Sequence, residues 1–184
     1  MTLFFMVLTG FMYPMLITVI SQIFFSKKAN GSLVIHNNTV IGSALIGQDF
    51  SDPRYFWGRP SATESYPDNA ASSGGSNLGP TNPILLKAVQ TRVNRLRSEG
   101  GAELIPVDLV TSSASGIDPD ISPAAAYYQL SRIAHYRKLP IEKIRELVIS
   151  HIEPRKFGVL GEPRVNVLLL NMALDKLSGK NNER

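Results

Sequence analysis

The sequence predicts an α+β protein with a single N-terminal transmembrane helix, followed by one soluble domain with a small sheet and about four helices. Three observations lead to this fold class. Residues 1–26 contain no charged side chain, so every acidic and basic residue lies in the rest of the chain. Short runs of β-branched residues recur, and capping side chains followed by proline mark helix starts. The predicted domains are a transmembrane anchor at 1–26, a soluble domain at 27–179 and a frayed tail at 180–184.

The apolar run from Met1 to Phe25 is long enough to cross a hydrocarbon core of about 30 Å as one helix. A cleaved signal peptide is the alternative, but its apolar region is usually shorter, and no small-residue cleavage pattern precedes Lys27. We therefore expect an uncleaved, single-pass anchor. Lys27 and Lys28 follow the helix, and this placement of basic residues favours a cytoplasmic soluble domain.

Three runs are predicted as strands of one small sheet. Leu33 to Ile35 and Val40 to Ile46 are rich in β-branched residues, and Asn37 and Asn38 between them suit the turn of a hairpin. Val107 to Val110 has a similar composition and is predicted as the third strand.

The segment from Gln48 to Pro83 has no periodic pattern and is rich in turn-forming residues, yet it contains several aromatic side chains. Disordered segments are poor in aromatic residues, so we expect an ordered loop. Trp57 and Arg59 are candidate contacts to a partner protein, because tryptophan and arginine are frequent interface anchors. The same side chains are equally suited to fixing the loop to the core of its own domain.

Four helices are predicted in the soluble domain, at 82–99, at 124–137, from residue 140 onwards, and at about 163–177. Ser122 and Pro123 form the clearest start signal, because serine caps the first turn and proline needs no hydrogen bond there. The last helix is apolar on almost every side. It contains Asn166 and Asn171, whose amides need partners when buried, and we expect them to tie loops to the helix.

Ser112, Ser113 and Ser115 lie in a bend that pivots on Gly116. A serine nucleophile needs a positioned base, and the bend has neither a G-x-S-x-G motif nor a histidine in a recognisable motif beside it. No catalytic residue is assigned. A membrane-tethered extracytoplasmic enzyme or binding module that uses the bend at 111–116 stays open as the alternative function.

The remaining composition narrows the functional classes. Asp118 and Asp120 flank Pro119 just before a helix start. Carboxylates attract cations, but negative charge there also complements the helix N-terminus.

The chain contains no cysteine, which excludes disulfides and thiolate metal sites. Its net charge of +4 is not gathered into a basic stripe, so nucleic-acid binding is not predicted. We predict no metal site and no tightly bound cofactor.

Five stretches of the chain, in the same order, resemble the C subunit of the Kdp complex, the ATP-driven high-affinity potassium pump of bacteria and some archaea. They are S-A-L-I-G-Q at 43–48, F-W-G-R-P-S-A-T at 56–63, S-G-G-S-N-L-G at 73–79, V-T-S-S-A-S-G-I-D-P-D-I-S-P-A-A-A-Y-Y-Q at 110–129, and V-N-V-L-L-L-N-M-A-L-D at 165–175. The resemblance that they mark spans nearly the whole chain.

The resemblance implies an accessory subunit that does not itself hydrolyse ATP and is required for assembly and activity of the complex. Its partners would be a channel-like potassium-translocating subunit and a P-type ATPase subunit, with potassium as the transported ion and membrane lipid around the anchor. It also implies a single-pass protein of the inner membrane with an extracytoplasmic soluble domain. This orientation disagrees with the one favoured by Lys27 and Lys28.

The resemblance also assigns candidate site residues. Gln129 would be a nucleotide contact in a catalytic-chaperone role, in which this subunit raises the ATP affinity of the ATPase subunit. With the soluble domain outside the cell, Gln129 would not reach cytoplasmic ATP, and Asp118 and Asp120 would instead attract potassium towards its entrance. Ser115 and Gly116 join the candidate partner contacts.

Overall fold

The structure is a computed structural model that describes residues 1–36, 38–101 and 104–182, with side chains as far as Gly179. It divides into two compact units, Met1–Leu45 and Ile46–Arg184. The first contains a long helix and a hairpin, and the second contains several helices and a small sheet. The predicted α+β class is confirmed.

The N-terminal helix of the first unit runs from Thr2 to Ala29 and is long and apolar enough to cross a membrane. It consists of α1 (Thr2–Val7), a π-helical segment (Leu8–Met12) and α2 (Tyr13–Ala29). The wider segment lies just before Pro14, whose ring has no N–H and would clash with the carbonyl one turn earlier. Proline thus explains the local change of helix type.

The hairpin predicted after the N-terminal helix is confirmed. Strands β1 (Leu33–His36) and β2 (Thr39–Ser43) pair antiparallel, with an irregularity between Val34 and Ile35. Asn38 has a φ of +61°, the left-handed conformation that asparagine tolerates well. Its neighbour in the predicted turn, residue 37, lies outside the described residues.

The sheet of the second unit contains different strands from those predicted. Its strands β3 (Asp120–Ile121), β4 (Ile152–Glu153) and β5 (Arg164–Asn166) are antiparallel, in the order β3-β5-β4. The prediction of a strand at 107–110 was wrong, because Val107–Leu109 form a 3-10 turn. The amide of Leu109 bonds to the carbonyl of Pro106 at 3.1 Å, and proline favours such a turn by fixing φ.

The helices of the second unit begin where the sequence signals place them, with two differences. They are α3 (Pro83–Ser98), α4 (Pro123–Tyr128), α5 (Leu130–Arg137), α6 (Ile141–Ser150) and α7 (Val167–Asn182). The predicted helix at 124–137 is divided at Gln129, and the last helix begins later than predicted, because residues 164–166 form β5. Asn82 and Ser122 cap α3 and α4 as predicted, accepting from Ile84 N at 2.9 Å and Ala125 N at 3.0 Å. Residues 183–184 of the tail predicted to fray lie outside the described residues.

The long loop predicted to be ordered is fixed to the core through Phe56, whose side chain is fully buried. Asn171 of α7 holds the backbone of this residue on both sides. Its Oδ1 accepts from Phe56 N at 2.8 Å, and its Nδ2 donates to Phe56 O at 2.9 Å. The expectation that Asn171 ties a loop to the last helix is therefore confirmed.

We expect Asn171→Leu to lower the free energy of unfolding by about 3 kcal/mol, because it leaves a buried N–H and a buried C=O without partners. The full-length protein in detergent would be unfolded with urea, and the fluorescence of its single tryptophan would report on the second unit. Asn94→Leu, at an exposed position of α3, is the control and should change stability by less than about 0.5 kcal/mol. Equal stabilities of the two variants would contradict the assigned role of Asn171.

Candidate functional site

Gln129 lies at the break between α4 and α5, and its amide is bonded on every side. Its Oε1 accepts from Trp57 N at 2.8 Å, and its Nε2 donates to Trp57 O at 3.1 Å. The same Nε2 also donates to Ala125 O at 3.2 Å. The side chain is 2% exposed, so the predicted nucleotide contact is directed into the protein and towards the loop.

Trp57 is buried between two arginines. The guanidinium carbons of Arg95 (α3) and Arg132 (α5) lie 4.0 Å and 3.8 Å from the centre of its ring. Two cations this close to one ring must occupy opposite faces, and each gains cation–π attraction. The indole Nε1 donates to Asp52 O at 3.0 Å. Of the two roles left open for Trp57, the structure shows the one in which it fixes the loop to its own domain.

Arg132 is a buried cation whose hydrogen bonds all go to this loop and to Gln129. Its guanidinium donates to Tyr55 O at 3.0 Å, to Gln129 Oε1 at 2.6 Å, and to Pro53 O. Burial, together with the positive charge of Arg95 and against the negative charge of Glu99, lowers the pKa of Arg132 to about 10. These acceptors compensate for the loss of hydration of a charged group.

Arg59 and Asp118 form a half-buried ion pair, with 3.0 Å between Nη1 and Oδ2. Asp118 Oδ1 also accepts from the backbone N–H of Asp120 at 3.1 Å. The Nε of Arg59 is buried and has no hydrogen-bond partner among the described residues. Arg59, predicted as a partner contact, and Asp118, predicted to attract cations, therefore bind each other in this structure.

Asp120 is likewise paired. Arg164 Nε lies 2.9 Å from its Oδ2, and Asn166 Nδ2 donates to its Oδ1 at 3.2 Å. Burial raises the pKa of Asp120, and the positive charge of Arg164 opposes this shift.

These ion pairs line an open cleft of about 570 Å³. Its charged residues are four carboxylates and two guanidinium groups: Asp108, Asp118, Asp120, Glu162, Arg59 and Arg164. Carboxylates therefore outnumber cations in the cleft. Across the described ranges, no group of three or more His, Cys, Asp or Glu side chains is placed to hold a metal ion.

The serine-rich bend is held by hydrogen bonds to neighbouring loops. Ser113 is buried, and its Oγ lies 3.1 Å from Ser115 Oγ and accepts from Gly116 N at 3.2 Å. Ser115 O accepts from Ser73 Oγ at 2.9 Å and from Gly74 N at 2.8 Å. Within the described residues, no hydrogen bond joins a serine of the bend to a histidine.

Gly116 is required at the pivot of this bend. Its φ is +71°, and a Cβ at this position would lie 2.5 Å from both Gly74 O and Thr63 Cγ2. A side chain here would therefore separate the bend from the neighbouring loop. Ser115 and Gly116, predicted as partner contacts, both take part in packing within the second unit.

A second cleft, of about 250 Å³, adjoins Trp57 and Arg59 and contains Asp68. The N–H of Asp68 donates to Ser61 Oγ at 2.9 Å, and its φ is +57°. Burial, and then the negative charges of Asp49 and Asp118, raise the pKa of Asp68 to about 6.

Sequence reasoning did not single out Arg132 or Asp68. The signal for Arg132 is its position one helical turn after Gln129, where two polar side chains share one helix face. The signal for Asp68 is weaker, because aspartate after proline is common in turns.

We expect Asp68→Asn to stabilise the protein at pH 7.5. The unfolded pKa is near 3.8 and the folded one about 6, so the folded state binds the proton more tightly. Stability from this group is fully present below about pH 4 and is lost as the pH rises to about 6. Asparagine does not titrate, so the variant does not lose this stability. We expect its free energy of unfolding at pH 7.5 to be higher by about 1 kcal/mol, after allowance for solvent screening of a half-exposed group.

Urea unfolding of the full-length protein at pH 4 and pH 7.5 checks this expectation, with Glu64→Gln, at an exposed carboxylate, as the control. If Asp68→Asn raises the free energy of unfolding equally at both pH values, the titration of Asp68 is not the cause of the stabilisation.

The chain has clear relatives among known proteins. A family described as KdpC, the c chain of the K+-transporting ATPase, matches residues 1–176. A relative from Variovorax paradoxus, named potassium-transporting ATPase KdpC subunit, is 57% identical over 170 residues, which are 91% of this chain and 88% of the relative. Proteins of the same name from Methylococcus capsulatus and Polaromonas naphthalenivorans are each 55% identical, over 96% and 95% of this chain and 94% and 90% of their own lengths.

The family match covers nearly the whole chain, including the N-terminal helix, both clefts and the break at Gln129. The relatives are matched over most of their own lengths as well. The chain therefore belongs to the KdpC family, the c chain of potassium-transporting ATPases.

Proposed function

We propose that this protein is the accessory, non-hydrolysing subunit of an ATP-driven, high-affinity potassium uptake pump, and that the pump needs it for assembly and activity. Its partners are a channel-like potassium-translocating subunit and a P-type ATPase subunit, with potassium as the transported ion. Family membership and the N-terminal helix, which is long enough to cross a membrane, support this proposal.

The alternative, an enzyme or binding module that uses the serine-rich bend, lacks support from the geometry. Ser113 and Ser115 are bonded to each other and to neighbouring backbone groups. A nucleophilic serine needs a base within hydrogen-bond reach, and the described contacts of these serines include none. ATP in this proposal is bound and hydrolysed by the ATPase subunit.

The assembly role is supported chiefly by the Gln129 amide, because both its oxygen and its nitrogen are hydrogen-bonded within the protein. Its oxygen and its nitrogen hold the backbone of Trp57, and the side chain is buried. A nucleotide contact would have to break these bonds and expose the buried N–H and C=O of Trp57, which is costly. The geometry thus favours a structural role for Gln129 over the catalytic-chaperone role that the resemblance implies.

Any effect on ATP affinity would then pass through subunit contacts. The excess of carboxylates over guanidinium groups in the larger cleft favours a second contribution, in which Asp118 and Asp120 raise the local concentration of potassium near its entrance. This contribution requires an extracytoplasmic soluble domain, and we propose that orientation, in the inner membrane, for this subunit.

We expect Gln129→Leu to destabilise the protein by about 3 kcal/mol, since two backbone groups of Trp57 lose their partner, and to leave the KM for ATP of the assembled pump unchanged. ATPase assays on the purified complex, compared with urea unfolding, separate the two effects. Gln90→Leu, on the exposed face of α3, is the matched control. A stable variant with a raised KM for ATP would support the nucleotide role instead.

We also expect Ser73→Cys to react with a membrane-impermeant thiol reagent in intact cells that express the whole complex. Ser73 is exposed and the chain has no cysteine of its own, so any labelling reports this position. Protection in intact cells with labelling after lysis would place the soluble domain in the cytoplasm and contradict the proposed orientation.

A further inference from the structure

A short hairpin, residues 155–162, presents three large apolar side chains to solvent; we call it the apolar finger. Phe157 is 92% exposed, Val159 73% and Leu160 59%. Single exposed apolar residues need no explanation, but three together on one projecting turn mark a contact surface.

The apolar finger has a defined conformation. Lys156 and Leu160 exchange two backbone hydrogen bonds of 2.9 Å, and Arg155 pairs with Glu162 at 2.6 Å. Phe157 has a φ of +54°, which is unfavourable for a bulky side chain. A strained conformation with an exposed aromatic side chain is typical of a functional position.

The base of the apolar finger is continuous with the sheet. It connects β4 to β5, which pair directly with Glu153 opposite Arg164. These two side chains also form an ion pair of 2.7 Å. The three exposed apolar side chains are therefore attached to the sheet of the second unit through β4 and β5.

The chemistry of the apolar finger fits a lipid surface better than a protein. Three side chains offer far less area than the roughly 800 Å² that each partner buries in a stable protein interface. An aromatic residue and aliphatic residues next to lysine and arginine are typical of membrane interfaces, where the apolar part enters the acyl boundary and the cations meet anionic headgroups. Lys156 forms no ion pair within the described ranges, which leaves it available for this contact.

We propose that the apolar finger inserts into the headgroup and acyl boundary of the membrane in which the protein is anchored. This inference rests on the anchoring part of the proposed function. One weak apolar contact does not hold a protein on a membrane, but it is sufficient when a second anchor is present. Insertion would restrict the orientation of the soluble domain relative to the bilayer.

The test uses the full-length, otherwise cysteine-free protein in vesicles, with an environment-sensitive fluorophore on Val159→Cys and spin-labelled phospholipids as quenchers. We expect the label at 159 to be quenched by a shallow spin label, and a label on Leu104→Cys, another exposed apolar position, to remain unquenched. Phe157→Ser in the labelled protein should abolish quenching. Lys156→Gln should weaken insertion about fivefold in anionic vesicles only, and Lys176→Gln should leave it unchanged.

A label on Ile17→Cys, within the anchor, tests the proposed function separately. If the label at 17 is quenched by a deep spin label while the label at 159 is not quenched at all, the anchor stands and the inference fails. Absence of quenching at both positions would refute the anchoring itself. Shielding of position 159 only after the other pump subunits are added, without lipid quenching, would assign the apolar finger to a protein partner and overturn the proposal.

Discussion

The second unit depends on the pairing of one buried amide with one stretch of loop backbone. Gln129 replaces the strand partner that Trp57 would have in a sheet, and it does so from the break between two helices. Arg132, one turn later, donates to the carbonyls of Pro53 and Tyr55, just before Phe56, and covers one face of the indole. Buried polar groups are stable only when fully satisfied, so these contacts form or fail together.

The sequence was most informative where structure depends on neighbouring residues. The long apolar N-terminal helix, the hairpin after it and the capped starts of α3 and α4 all rest on local signals, and all are present. The short strands could not be predicted this way, since each has two or three residues and exists only through pairing with a distant partner. The strand predicted at 107–110 was wrong for a related reason. Its β-branched composition indicates only a preference for strands, and Pro106 directs the backbone into a turn.

The candidate site shows the same limit. Trp57 and Arg59 were singled out by residue type, which is common to interface anchors and core anchors. What distinguishes these roles is the presence of Arg95, Arg132 and Gln129 around Trp57, and these residues are distant in the chain. Asp118 and Asp120 were recognised as acids beside a helix start, but their arginine partners follow only from the tertiary structure.

The distance along the chain between bonded partners has a consequence for biosynthesis. Phe56 is held by a residue 115 positions later, on the last helix. During synthesis the N-terminal helix is made first, and the backbone of Phe56 lacks its partner Asn171 until α7 is made. Contacts of such large sequence separation close slowly. The second unit therefore completes its core only after α7 has been made, and a chain that stops before α7 leaves the backbone of Phe56 without its partner.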